Sequence, residues 1–193
     1  FKLKTKGADP QAEAEWVGEV YREIVAIREQ LGLEGPIRYE VDANEGCEGP
    51  WVVAEFLDAL EALDAEAYAA LEYLEQPTER DLGANRWDMA PIARRKPVLA
   101  DEGITSLAEL RLAAELGWTG PALKTCKGHS LALLEIAWCE LTGRPYALQD
   151  LTNPMLAQIP HVLLAAHAGT IMGVETNAMQ FYPDSSLPEE RVH

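Results

Sequence analysis

Cysteine is scarce. The 193 residues hold three, Cys47, Cys126 and Cys139, odd in number and far apart. That argues against a disulfide framework and for a reducing compartment, so the cytoplasm is the expected location. No run approaches the roughly 18 uninterrupted apolar residues of a membrane helix. The opening Phe1-Lys2-Leu3-Lys4 has basic residues but no apolar stretch behind them, so it does not read as a secretion signal. With 14 glycines and 12 prolines there is no collagen-like or disordered bias, and no glycine-rich phosphate loop is present. Basic residues are few: 16 Lys and Arg stand against 32 Asp and Glu, a net charge of -16. Such a field repels phosphate backbones and anionic membranes, so neither a nucleic acid nor a membrane is an expected partner.

What is present is a globular composition, 48% hydrophobic, enough for one sizeable core or two small ones. Residues 1 to 6 alternate, which predicts a strand with Lys2, Lys4 and Lys6 on one face. A 3.6-residue period follows in Trp16, Val17, Val20, Ile24, Ile27 and Leu31, with Gly32 as a stop. Ile37 to Val41 reads as a second strand, and Pro50 opens a helix carrying Val53, Phe56, Leu57, Leu60 and Leu63 on one side. Strands are also expected around Tyr73-Leu74, Pro97 to Ala100, Pro121 to Leu123, Tyr146 to Leu148 and Ile171 to Glu175. Thr105 and Ser106 can cap a helix from Leu107 to Leu116, and further helices are expected over about Ser130 to Leu141 and Met155 to Ala168.

Every strand in this reading ends at a charged residue: Lys4, Asp42, Glu75, Asp101, Lys124, Asp150 and Glu175, spaced by 38, 33, 26, 23, 26 and 25 residues. The spacing suits a parallel βα repeat, whose unit needs about 30 residues. In a barrel such ends gather at the C-terminal rim, where barrel enzymes keep their active sites; an open doubly wound sheet would rarely aim all seven at one point. A closed barrel has eight strands and this sequence offers seven, so the first strand is expected to lie outside the chain. Residues 1–176 are read as an incomplete (β/α) barrel catalytic domain, and 177–193 as a C-terminal segment.

Asp42, Glu75 and Asp101 end three successive strands. Three converging carboxylates repel one another unless a cation neutralises them, and hard oxygen ligands without Cys or His point to magnesium, with manganese as a substitute. Lys4 and Lys124 flank this centre. A lysine beside a divalent cation and other lysines has its pKa depressed and can serve as a base.

Lys-Leu-Lys at 2–4, Val-Asp-Ala-Asn at 41–44, Leu-Glu-Gln-Pro at 74–77, Ala-Asp-Glu-Gly at 100–103 and Leu-Lys-Thr-Cys-Lys at 123–127 together resemble the enolase superfamily. The similarity is to the barrel domain of its muconate-lactonising-enzyme and mandelate-racemase-like members, and it covers nearly the whole chain. It implies an α/β fold, a (β/α)7β TIM-like barrel present here from the second strand onward. It implies a magnesium-dependent enzyme that removes the α-proton of a small carboxylate substrate to give a metal-stabilised enediolate. Asp42, Glu75 and Asp101 are then the metal ligands, and Lys4 and Lys124 the acid/base pair. Lys2, Asn44, Asp150 and Glu175 are the expected substrate contacts, with Asp150 and Glu175 read alternatively as caps of the segments that follow. Glu102 reads as support for its neighbour Asp101.

The seventh barrel strand ends Leu148-Gln149-Asp150 and offers no histidine, unlike mandelate-racemase-type members. A lysine on the sixth strand instead resembles the branch of cycloisomerases, succinylbenzoate synthases and dipeptide epimerases, although that branch commonly has a Gly-Gly turn where this chain has Lys127-Gly128-His129. The expected reaction is racemisation, epimerisation or cycloisomerisation. The alternatives are an acid-sugar dehydratase of the same superfamily, or a non-catalytic truncated barrel. The resemblance also implies an even-numbered homo-oligomer and an N-terminal capping domain that this chain does not contain.

Overall fold

The computed structural model describes residues 1–151 and 155–177. Seven parallel strands neighbour one another in chain order: β1 (Lys2–Lys4), β2 (Tyr39–Asp42), β3 (Leu71–Glu75), β4 (Val98–Ala100), β5 (Gly120–Leu123), β6 (Ala147–Gln149) and β7 (Val174–Glu175). The connections carry α1 (Pro10–Gln30), α2 (Pro50–Leu63), α3 (Ala65–Ala70), α4 (Ala90–Ala93), α5 (Leu107–Glu115), α6 (His129–Thr142) and α7 (Met155–Ala165), with a 3-10 turn over Thr125–Lys127 after β5. The sheet curls through 262° into a partial TIM-like (β/α) barrel. Among the described residues β1 pairs only with β2 and β7 only with β6, so a seam stays open between β7 and β1. Residues 178–193, nearly all of the expected C-terminal segment, lie outside the described residues.

Local chemistry explains the elements. Asp9 caps α1 by accepting from the Ala12 amide at 3.0 Å, and Pro10 opens the helix where its missing N–H costs nothing. Ser106 caps α5 by accepting from the Glu109 amide, and the Glu109 carboxylate reaches back to accept from the Thr105 amide at 2.7 Å, just ahead of the cap. Gly143, in the left-handed conformation, ends α6.

Two expectations change. The first strand stops at Lys4 instead of running to residue 6, because the Glu13 carboxylate takes the Lys6, Gly7 and Ala8 amides into its own turn. Lys6 therefore leaves the face that Lys2 and Lys4 share. The apolar stripe of α1 is covered only in part: Val17 is fully buried, whereas Trp16, Ile27 and Leu31 are exposed. The second half of α1 lies beside the seam, where Ile24 and Arg28 line a cavity of about 370 Å³.

Strand alternation sorts side chains into two sets. Leu3, Tyr39, Val41, Leu74, Val98, Ala100, Leu123 and Leu148 pack outward into the core shared with the helices. Tyr73, Leu99, Ala122 and Ala147 form a smaller apolar cluster of their own. Lys2, Lys4, Glu40, Asp42, Glu75, Gln149 and Glu175 share the inward parity of their strands, and that parity builds the site.

Candidate active site

Strand register sets the levels of the site. Lys2 pairs with Glu40 and Glu40 with Tyr73; Lys4 pairs with Asp42 and Asp42 with Glu75; on the far side Gln149 pairs with Glu175. The loops after β1 and β2 meet closely: a Cβ on Gly46 would stand 2.0 Å from the Lys6 carbonyl oxygen, so only glycine fits.

Each expected metal ligand is buried, and lysines accompany each. The Lys2 ammonium lies 2.8 Å from Glu75 Oε1, 2.9 Å from Asp42 Oδ2 and 3.1 Å from Glu175 Oε2. Lys4 donates to Asp42 Oδ2 and, at 2.9 Å, to Asn44 Oδ1. Asn44, with φ 43°, sends its backbone N–H back to Asp42 Oδ1 at 2.8 Å and its side-chain amide toward Glu102 Oε1 at 3.4 Å. Asp101 sits directly after β4, where Lys124 donates to Oδ2 and Lys127 to Oδ1 at 3.0 Å and to the carbonyl at 2.6 Å. Gln76 fixes that turn: its Oε1 accepts from the Asp101 and Gly103 amides at 2.8 and 3.1 Å.

Burial works against every one of these charges, and its outcome differs with the partners. Asp42 and Asp101 stay below the usual carboxylate range, because Lys2 with Lys4, and Lys124 with Lys127, outweigh desolvation. Glu75 is pushed well up by burial, which Lys2 offsets only in part while Glu40 and Asp42 add repulsion. Glu175 is raised by burial too, with Glu40 adding to the effect. Lys2 and Lys124 are held protonated, their carboxylate neighbours overcoming burial.

The carboxylates that come closest together are not the expected trio. Among the described residues, Glu40, Glu75 and Glu175 bring one oxygen each within 4.8 Å of one another. Asp42 and Asp101 are turned to their lysines. Glu40 is 1% exposed, and neither of its oxygens has a hydrogen-bond partner. An all-oxygen cluster with an uncompensated buried carboxylate fits a hard divalent cation.

Of the expected substrate contacts, Lys2, Asn44 and Glu175 stand in this network. Asp150 instead accepts from Gln158 of α7 at 3.3 Å and from the Asn177 amide at 3.2 Å, which ties β6 to the segments after it. Three further residues belong to the site. Glu40 was readable from alternation, two positions before Asp42 on one strand. Gln149 was readable the same way: it, not Asp150, is the last residue of β6, and its Nε2 donates to Glu75. Lys127 had no such signal, because it reaches Asp101 from a 3-10 turn.

The family described as Enolase C-terminal domain-like matches residues 1–193. No curated protein matches the chain significantly. Among solved structures, a mandelate racemase/muconate lactonizing protein from Herpetosiphon aurantiacus superposes with a TM-score of 0.70 at 22% identity, over 93% of this chain and 47% of its own. A dipeptide epimerase from Cytophaga hutchinsonii, complexed with Mg and the dipeptide D-Ala-L-Val, gives 0.69 at 21% identity, over 94% and 46%. A muconate lactonizing enzyme from Klebsiella pneumoniae gives 0.73 at 19% identity, over 96% and 48%. The chain thus spans about half the length of these relatives. With the family matched from end to end and the barrel shared, the chain belongs to the Enolase C-terminal domain-like family of the enolase superfamily.

Proposed function

We propose that the chain is the barrel part of a magnesium-dependent enzyme that moves a proton at the carbon α to a substrate carboxylate. The observation that carries this reading is the disposition of the lysines. Lys4 and Lys124 approach from β1 and from the end of β5, on either side of Asp42, Glu75 and Asp101. Asp42, Glu75 and Asp101 are the residues assigned to hold the metal. A divalent cation held there would supply positive charge to stabilise the substrate carboxylate as negative charge develops on it.

The remaining work falls to side chains of this chain. The Lys4 amine takes the α-proton on one face and becomes an ammonium, and the Lys124 ammonium delivers a proton on the other. One proton leaves and one arrives, so the α-carbon is inverted. Asn44 orients Lys4 through the 2.9 Å hydrogen bond at Oδ1. Lys127 holds the Asp101 turn while Lys124 is engaged. Relatives that are dipeptide epimerases, or an N-succinyl Arg/Lys racemase from Bacillus cereus, suggest N-acylated amino acids and dipeptides as the first substrates to try.

The test is α-deuterium uptake from heavy water across such a panel, with magnesium present. Uptake that disappears in both Lys4→Ala and Lys124→Ala is the expected result. Uptake that survives both changes removes the lysine-pair mechanism.

A further inference from the structure

We infer that the barrel has a second, inner cation site formed by Glu40, Glu75 and Glu175, one level below the metal position assigned to Asp42, Glu75 and Asp101. The inference does not depend on the reaction proposed above. Three points no more than 4.8 Å apart fit within a circle of radius about 2.8 Å. An ion at its centre is therefore within a few tenths of an ångström of the roughly 2.3–2.6 Å contacts of calcium, and a modest closure reaches those of manganese or magnesium. The ligand atoms are already gathered.

The second observation is Glu40 itself. Both of its carboxylate oxygens are buried and unpartnered, although they face Glu75 and Glu175. The Lys2 ammonium bonds Asp42, Glu75 and Glu175 and leaves Glu40 without a bond. A buried carboxylate with no partner is disfavoured unless a cation or another donor reaches it.

A route to the cluster is also present. Glu40, Glu175, Lys2 and Tyr73 line the cavity of about 370 Å³ at the seam between β7 and β1, so an ion can arrive from that side without passing the rim of the barrel. Gln149, which donates to Glu75 through Nε2, keeps a buried and unpartnered Oε1. The two sites share Glu75 and like charges repel, so the inner ion is expected to be the weaker one.

The test is calorimetric titration of manganese and of calcium into the full chain, comparing wild type with Glu40→Gln, Glu175→Gln and Asp101→Asn. The expected pattern is a binding event that survives Asp101→Asn and weakens at least tenfold in both Glu40→Gln and Glu175→Gln. Glutamine preserves volume and removes an unpaired buried charge, so metal-free Glu40→Gln should melt no lower than wild type while its metal-induced rise in Tm shrinks. Manganese and calcium bound by Glu40→Gln as tightly and in the same ratio as by wild type would overturn the inner site. That result leaves the outer site standing, because loss of binding in Asp101→Asn reports on it separately.

Discussion

Glu135 on α6 offers a clean test of how burial governs charge in this molecule. It is 4% exposed, and its Oε1 has no hydrogen-bond partner. Burial pushes its carboxyl up from 4.5 to about 7, with Lys127 opposing and Glu109 reinforcing the shift. In the unfolded chain the group titrates near 4.5. Between pH 4.5 and 7 the folded state therefore holds the proton more firmly, and stability falls as pH rises through that window. At about 1.36 kcal/mol per unit the full shift sets a ceiling near 3 kcal/mol. Solvent screening at an outer helix lowers the expected loss to about 1–2 kcal/mol. Glu135→Gln removes the titration without changing the shape. Relative to wild type, the variant should gain about 1–2 kcal/mol between pH 5 and pH 8, or a few degrees in Tm for a chain of this size. Urea unfolding of both proteins at several pH values measures the difference directly, and other titrating groups cancel. Parallel stability curves for the two proteins would refute the reasoning.

Three further outcomes are expected. Lys2→Met strips Asp42, Glu75 and Glu175 of a shared ammonium and should cost about 3–5 kcal/mol, read as a fall in the urea midpoint; a cost under about 1 kcal/mol would mean that water already neutralises the cluster. Gln76→Ala leaves the buried Asp101 and Gly103 amides without an acceptor and should cost about 1–3 kcal/mol, with faster hydrogen exchange at both amides. His161 is buried with both ring nitrogens unpartnered, and burial holds its pKa below 6.5. Stability should fall as pH drops through 6.5, and His161→Phe should flatten that acid limb in thermal melts.

The barrel was legible because its signals repeat. Seven charged strand ends at βα spacing survive errors of two or three residues at any one boundary, and Asp42, Glu75 and Asp101 each lie at or directly after a strand end. The limits of single strands were less secure, since tertiary partners decide them. Nothing in Phe1 to Lys6 says that Glu13 will claim the amides after Lys4. The periodicity of α1 likewise continues past the part that packs, because period records which residues share a face and not whether that face meets a neighbour. Glu40 was overlooked for another reason. A buried glutamate within a strand breaks the rule that inward positions are apolar unless they serve the site, and a reading centred on strand ends does not reach one pleat further in.

The interior of the barrel is lopsided, and the seam accounts for it. The walls from β4, β5 and β6 contribute Leu99, Ala122 and Ala147, whereas the wall nearest the opening contributes Lys2, Glu40 and Glu175. Charges in a dry interior cost several kcal/mol each, so a charged wall persists only where water or a counter-ion reaches it. Here the charged wall lines the cavity at the seam, which gives water a path toward it. Covering that seam would expel water from the side of Glu175 and Lys2, and the carboxylates would then stay ionised only with a cation among them. The lower dielectric then strengthens attraction between these carboxylates and any cation among them. Whatever closes the opening between β7 and β1 should therefore tighten the inner site and slow release of its ion. A hydrophobic partner on this face and a cation behind it would stabilise each other, which ties the completeness of the barrel wall to the charge held inside it.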